Sequence, residues 1–172
     1  LQDSYTYSDS LELYPYPDDE GITGQLKEGA HITLTKLANL MIYLSDNDAS
    51  LWCQAIAGGG TAINTWLEDN GFVQTRVNSR TPGREADREK MGWGQTSPRE
   101  MAELLLKIYR GEAVSHAADE EMYRILGRVI YHGESMAGIP PNVYAASKQG
   151  AISRSRSEVV LVNAPSGDYL FC

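Results

Sequence analysis

The sequence predicts an α+β fold in which a helical lobe is followed by short antiparallel strands, and three observations predict it. Apolar residues recur at helical spacing between residues 33 and 130. The pattern then breaks at Gly138, Pro140 and Pro141. Short β-branched or aromatic runs separated by turn residues follow to the carboxyl end. No internal repeat interrupts this order.

Residues 1–20 are polar and tyrosine-rich, and Pro15 and Pro17 alternate with Tyr14 and Tyr16, so an extended lead-in is expected there. Residues 21–172 are expected to form one domain, with the helical lobe at about 33–139 and the strands at about 143–172. Thr33 is placed to cap a first helix whose apolar face is Leu34, Leu37, Met41 and Leu44. A second helix is expected from Ala49 to Ala57, stopped by Gly58-Gly59-Gly60. A third starts with Thr61 as its cap and closes at Asn70-Gly71.

Residues 75–96 are rich in arginine and acidic side chains, contain Pro82, Gly83, Gly92 and Gly94, and lack apolar periodicity, which predicts a long surface loop. Ser97-Pro98-Arg99-Glu100 is a helix start: serine caps, proline suits the first helical position, and glutamate can reach back to the cap amide. Met101, Leu104, Leu105 and Ile108 mark that helix's buried face. A further helix is expected over 117–130, with Met122, Ile125, Leu126 and Val129 inward. Strands are expected at 143–147, 158–162 and 169–171, the last two joined by a Pro165-Ser166-Gly167 turn.

Composition narrows the function classes. A net charge of −8 opposes binding to nucleic acid, which needs clustered Lys and Arg to neutralise phosphates. No run of eighteen apolar residues is present, so no membrane span is expected, and Leu1-Gln2-Asp3-Ser4 lacks the basic and apolar regions of a signal peptide. Cys53 and Cys172 are read as two free or buried thiols. His31, His116 and His132 are scattered without ligand spacing, so neither a metal nor another cofactor is expected.

Two triplets carry the chemistry. Ser45-Asp46-Asn47 falls where the first helix gives way to a loop, and Lys148-Gln149-Gly150 follows 103 positions later on the first strand. Together they resemble the second and third signature elements of the serine β-lactamase and penicillin-binding protein family, Ser-x-x-Lys, Ser-Asp-Asn and Lys-Thr-Gly. The resemblance extends to Leu37–Ala49, to Ala55–Gly59 with Trp66, Leu67 and Gly71, and to Thr96–Met101, and it covers about residue 20 to the carboxyl end. It implies the central and C-terminal part of a β-lactamase or transpeptidase-like fold.

The first element, which carries the nucleophile, does not occur in these residues. The five lysines, Lys27, Lys36, Lys90, Lys107 and Lys148, are preceded at three positions by Gly24, Thr33, Asp87, Leu104 and Ala145. Opening a β-lactam by acyl transfer needs a nucleophile, a proton route to the leaving nitrogen, a cation for the substrate carboxylate and amide donors for the oxyanion.

The resemblance implies that Ser45 relays the proton and that Lys148 supplies positive charge to Ser45 and to the substrate carboxylate. It further implies that Asn47 binds the substrate's side-chain amide, that Asp46 fixes the loop, and that the Ala151 amide forms half of the oxyanion hole. Glu85 is the candidate deacylating base, Arg80 the candidate pin of its loop, and Arg154 or Arg156 a source of charge beside the lysine strand.

Ser45 and Asn47 have an alternative use as helix-end hydrogen-bonding groups, and Glu85 one as part of a solvated charge cluster with Arg84, Asp87, Arg88 and Glu89. Gln149 departs from the family's Thr or Ser, replacing a short hydroxyl with a longer amide next to Gly150. The expected substrate is a β-lactam or a cell-wall peptide, and the expected location is periplasmic or secreted. Ser-x-x-Lys would come from another segment or a second chain, leaving this polypeptide inactive alone. The contrasting expectation is a relic or binding scaffold without acylation chemistry.

Overall fold

Short polar side chains cap most of the helices and so fix where they begin. The computed structural model describes residues 3–11, 21–152 and 155–172; the expected loop around Tyr14, Pro15, Tyr16 and Pro17, and Arg154, lie outside them. The chain divides into two compact units, Leu1–Gln95 and Thr96–Cys172. Among the described residues no helix is long and apolar enough to cross a membrane.

The first unit opens with a ribbon that the sequence did not signal, β1 (Ser4–Thr6) antiparallel to β2 (His31–Thr33), with Tyr5 opposite Ile32. Strands of three residues carry no usable period, so their pairing is a tertiary outcome. Helix α1 (Leu34–Tyr43) starts as expected, the Thr33 hydroxyl accepting the Lys36 N–H at 3.2 Å. Helix α2 (Asn47–Ile56) begins two residues earlier than expected because Asp46 caps it.

Helix α3 (Gly59–Asp69) begins before Thr61, after Gly58 at φ 93. That left-handed backbone reverses the chain where a β-carbon would be strained, so the glycine run sets this start and Thr61 falls inside the first turn. Leu37, Ala49, Leu51, Trp52 and Ile32 form the core of this unit, with Tyr7, Met41, Ile56 and Trp93 packed against it. Leu37 is fully buried, so truncating it to alanine is expected to cost about 2–5 kcal/mol.

The stretch expected to be a surface loop is built instead. It holds β3 (Arg76–Val77), helix α4 (Glu85–Met91) and β4 (Gly94–Gln95), with β3 antiparallel to β4. Asn78, Ser79 and Thr81 are buried although polar. Side-chain amides explain this: Asn64 exchanges two hydrogen bonds with the Val77 backbone, at 2.7 and 2.9 Å. Gln54 donates to the Ser79 carbonyl and accepts from its hydroxyl, at 2.5 and 2.8 Å. Hydrogen bonding at neutral side chains leaves no hydrophobic period to read.

In the second unit α5 (Pro98–Arg110) starts on Ser97, whose hydroxyl accepts the Glu100 N–H at 3.3 Å, and ends at Gly111 with φ 73. Helix α6 (His116–Leu126) is capped by Ser115 and stops four residues short of the expected end. Three antiparallel strands follow in spatial order, β5 (Tyr144–Ile152), β6 (Ser155–Asn163) and β7 (Tyr169–Phe171). The first two are nine residues each, longer than the sequence suggested, because Lys148-Gln149-Gly150 breaks the apolar alternation without breaking the ladder.

Alternation gives this sheet two faces. Leu161 and Val159 pack with Leu105, Met101, Tyr123 and Leu126 of the helices. Ala145, Val160 and Val162 pack on the other face under Met136, Ile139 and Val143.

Candidate functional site

Ser45 sits at the junction of α1 and α2 with φ 56, in the left-handed region that glycine enters freely and serine does not. Among the described residues the only other non-glycine at positive φ is Arg80, at 47°. Such strain persists only where the surroundings over-determine it, and they do here. The Asp46 carboxylate is buried and bidentate in use: Oδ1 accepts the Ala49 N–H at 2.8 Å and Oδ2 the Thr23 N–H at 3.0 Å. The Asp46 N–H itself donates to the Leu40 carbonyl at 3.3 Å.

Asp46 therefore caps α2, closes the end of α1 and anchors the Thr23–Gln25 turn. The capping duty that Ser45 and Asn47 offered as an alternative is performed by Asp46, and Ser45 is exposed. An Asp three residues before Ala49 is an N-cap signal in its own right. Its hold on Thr23 is non-local and invisible in the sequence.

Lys148, Gln149, Gly150 and Ala151 lie together on β5, the edge strand of its sheet. Lys148 pairs with Val159 and Gln149 with Glu158, so the ammonium and the amide point to opposite faces. Lys148 is half-buried, and its Nζ donates to the Gln149 carbonyl at 2.6 Å. Burial lowers its pKa below the ordinary lysine range. Gly150 pairs with Ser157, and a β-carbon on it would approach the Ser157 hydroxyl at 3.3 Å.

Glu85 is the first residue of α4 and is exposed; its Oε1 accepts the Gly83 N–H at 3.1 Å. The neighbouring Arg84 was read only as part of a charge cluster, yet it organises the segment. Its guanidinium donates to Asn78 Oδ1 at 2.6 Å and Gln95 Oε1 at 3.0 Å, and pairs with Asp87 at 2.8 Å. Arg80, expected as the pin, donates to the Leu11 carbonyl at 3.2 Å. Arg156 is largely exposed and lies 3.7 Å from Glu134.

The two cysteines are free thiols, Cys172 exposed and Cys53 half-buried, and burial pushes the Cys53 thiol up to about 11. Chemically, one junction presents the hydroxyl of a serine with a strained backbone, close in sequence to the Asn47 amide. One strand presents a desolvated cation followed by a glycine and an exposed alanine.

A family model described as the beta-lactamase enzyme family matches residues 1–172. No curated protein matches the chain. Among solved structures, PBP-A is 27% identical with a TM-score of 0.83 over 99% of this chain and 61% of its own. A mutant of PBP-A has been solved as an acyl-enzyme complex with penicillin-G. A class A beta-lactamase from Bacteroides cellulosilyticus DSM 14838 is 16% identical, with a TM-score of 0.79 over 99% of this chain and 64% of that one. A beta-lactamase from Sphaerobacter thermophilus DSM 20745 is 21% identical, with a TM-score of 0.83 over 99% and 63%. The last two likenesses are likenesses of fold. The chain spans 61–64% of the length of these structures.

Proposed function

The chain belongs to the beta-lactamase enzyme family, and on that premise we propose that it supplies the substrate-binding part of a serine acyl hydrolase that opens β-lactam amides. The single observation that carries this reading is the Ser45 junction. An exposed serine with a strained backbone is followed by a buried carboxylate whose hydrogen bonds fix the turn from both sides. Rigid support of a polar first contact is what transition-state binding requires.

In this proposal Ser45 passes the proton from the nucleophile to the departing nitrogen. Asn47 donates to the side-chain amide of the substrate, and Lys148 neutralises the substrate carboxylate. Lowered basicity suits Lys148 to proton traffic as well as to charge. The Ala151 amide, next to Gly150, contributes a donor to the oxyanion. Glu85, at the start of α4, activates the water that releases the acyl group. The nucleophile comes from a Ser-x-x-Lys segment outside these 172 residues, and the reaction takes place outside the cytoplasm, where β-lactams and cell-wall peptides are met.

Nitrocefin and intact-mass measurement test this. The 172-residue chain alone is expected to give no turnover and no acyl adduct with penicillin-G, and a longer polypeptide bearing Ser-x-x-Lys is expected to give both. An acyl group found on this chain would overturn the location of the nucleophile. The lysine census favours one second reading, a β-lactam- or peptidoglycan-binding scaffold. Reversible penicillin-G binding that no Ser-x-x-Lys segment converts to an adduct would select it.

A further inference from the structure

The sheet face turned away from Lys148 carries a polar group that acyl transfer does not use. Ser147 is 1% exposed, and its Oγ has no hydrogen-bond partner among the described residues. On the neighbouring strand Glu158 Oε2 accepts the Ser135 N–H at 2.8 Å, while its Oε1 is buried without a partner among the described residues. Gln149 stands directly opposite Glu158, and Ser147 opposite Val160, so the three side chains share one face within one diagonal step. Ala145, Val160 and Val162, under Met136 and Ile139, make the adjoining surface apolar.

Buried polar atoms are ordinarily paired, and an acceptor oxygen buried without a donor leaves its hydrogen-bonding capacity unmet. Arg156, which the register places on this face, is largely exposed and directed to Glu134. We propose that Ser147 Oγ, the Gln149 side-chain carbonyl and Glu158 Oε1 bind a small monovalent cation such as sodium or potassium. The donor set is all oxygen, which hard cations prefer, and it carries one carboxylate, whereas divalent ions draw on more ligand charge. The ion would join β5, the strand bearing Lys148, to β6 and to the turn at Ser135. This inference does not depend on the acyl-transfer reading.

Thermal unfolding of the 172-residue chain at constant ionic strength tests it, with sodium or potassium chloride compared against choline chloride. Saturable binding to the folded state is expected to raise Tm by about 2–4 °C in the alkali salts. Glu158→Gln and Ser147→Ala are each expected to remove the difference between salts, whatever they do to Tm itself. Crystals grown in rubidium chloride are expected to show an anomalous peak against Glu158 Oε1, a readout that stands even if one variant does not fold. An identical Tm in choline and alkali salts, a difference retained in Glu158→Gln, or a water without anomalous signal would overturn the proposal.

Discussion

Ser45 shows how one backbone angle separates function from stability. Replacing it by glycine removes the left-handed penalty, so Ser45→Gly is expected to raise unfolding free energy by about 1 kcal/mol while removing the proposed proton relay. Urea denaturation reads the first effect, and an unchanged or lower stability would show that φ 56 is not a cost. Asp46 behaves oppositely. Asp46→Ala loses the α2 cap and strands the Thr23 N–H, and is expected to cost about 2 kcal/mol or more, whereas Asp46→Asn keeps an acceptor and costs less.

Lys148 sets a pH dependence whose sign follows from its lowered pKa. The unfolded chain holds this proton more tightly than the folded one, so stability rises as pH climbs from the lowered folded value to the ordinary value near about 10.4. Lys148→Met is expected to flatten that rise in alkaline urea titrations. At Cys53, burial raises the thiol to about 11, so iodoacetamide near neutral pH is expected to label the exposed Cys172 first, as peptide mapping would show.

At the scale of elements, Gly60 in the first turn of α3 and Arg84 before α4 fix close contacts within the first unit. A β-carbon on Gly60 would lie 1.8 Å from the Thr81 hydroxyl and 2.9 Å from its β-carbon. Gly60→Ala is therefore expected to cost about 1–3 kcal/mol in urea, with part recovered by adding Thr81→Ala. Arg84→Ala unties Asn78, Gln95 and Asp87 together. It is expected to cost about 1.5–3 kcal/mol and to speed amide exchange between residues 78 and 95, leaving α5 unchanged. The caps at Thr33 and Ser97 were legible because a hydroxyl three residues before the amide that it accepts is a local signal. The segment from Arg76 to Gln95 was not, because Gln54, Asn64 and Arg84 hold it through amides and a guanidinium, which leave no apolar period. Gly127, which follows α6, is packed so closely by Tyr144, seventeen positions away, that a β-carbon there would clash with the Tyr144 hydroxyl, a constraint no local pattern shows.

At the scale of the molecule, the chain corresponds to less than two thirds of the structures that it resembles, and its two units carry the two triplets separately. Helical periodicity, caps and turn residues determined the order of α1, α2, α3, α5, α6 and the three strands β5 to β7, because each is written within a few neighbouring residues. Ser45-Asp46-Asn47 and Lys148-Gln149-Gly150 likewise identified the family and placed the candidate residues on a helix junction and a strand. Tertiary structure decided what those residues experience. It strained Ser45, buried Asp46 against Thr23, desolvated Lys148, turned Gln149 to the opposite face, and buried Ser147 Oγ and Glu158 Oε1 without a partner among the described residues. Strain, desolvation and unpaired burial arise only when segments distant in sequence close on one another, and no local pattern encodes them.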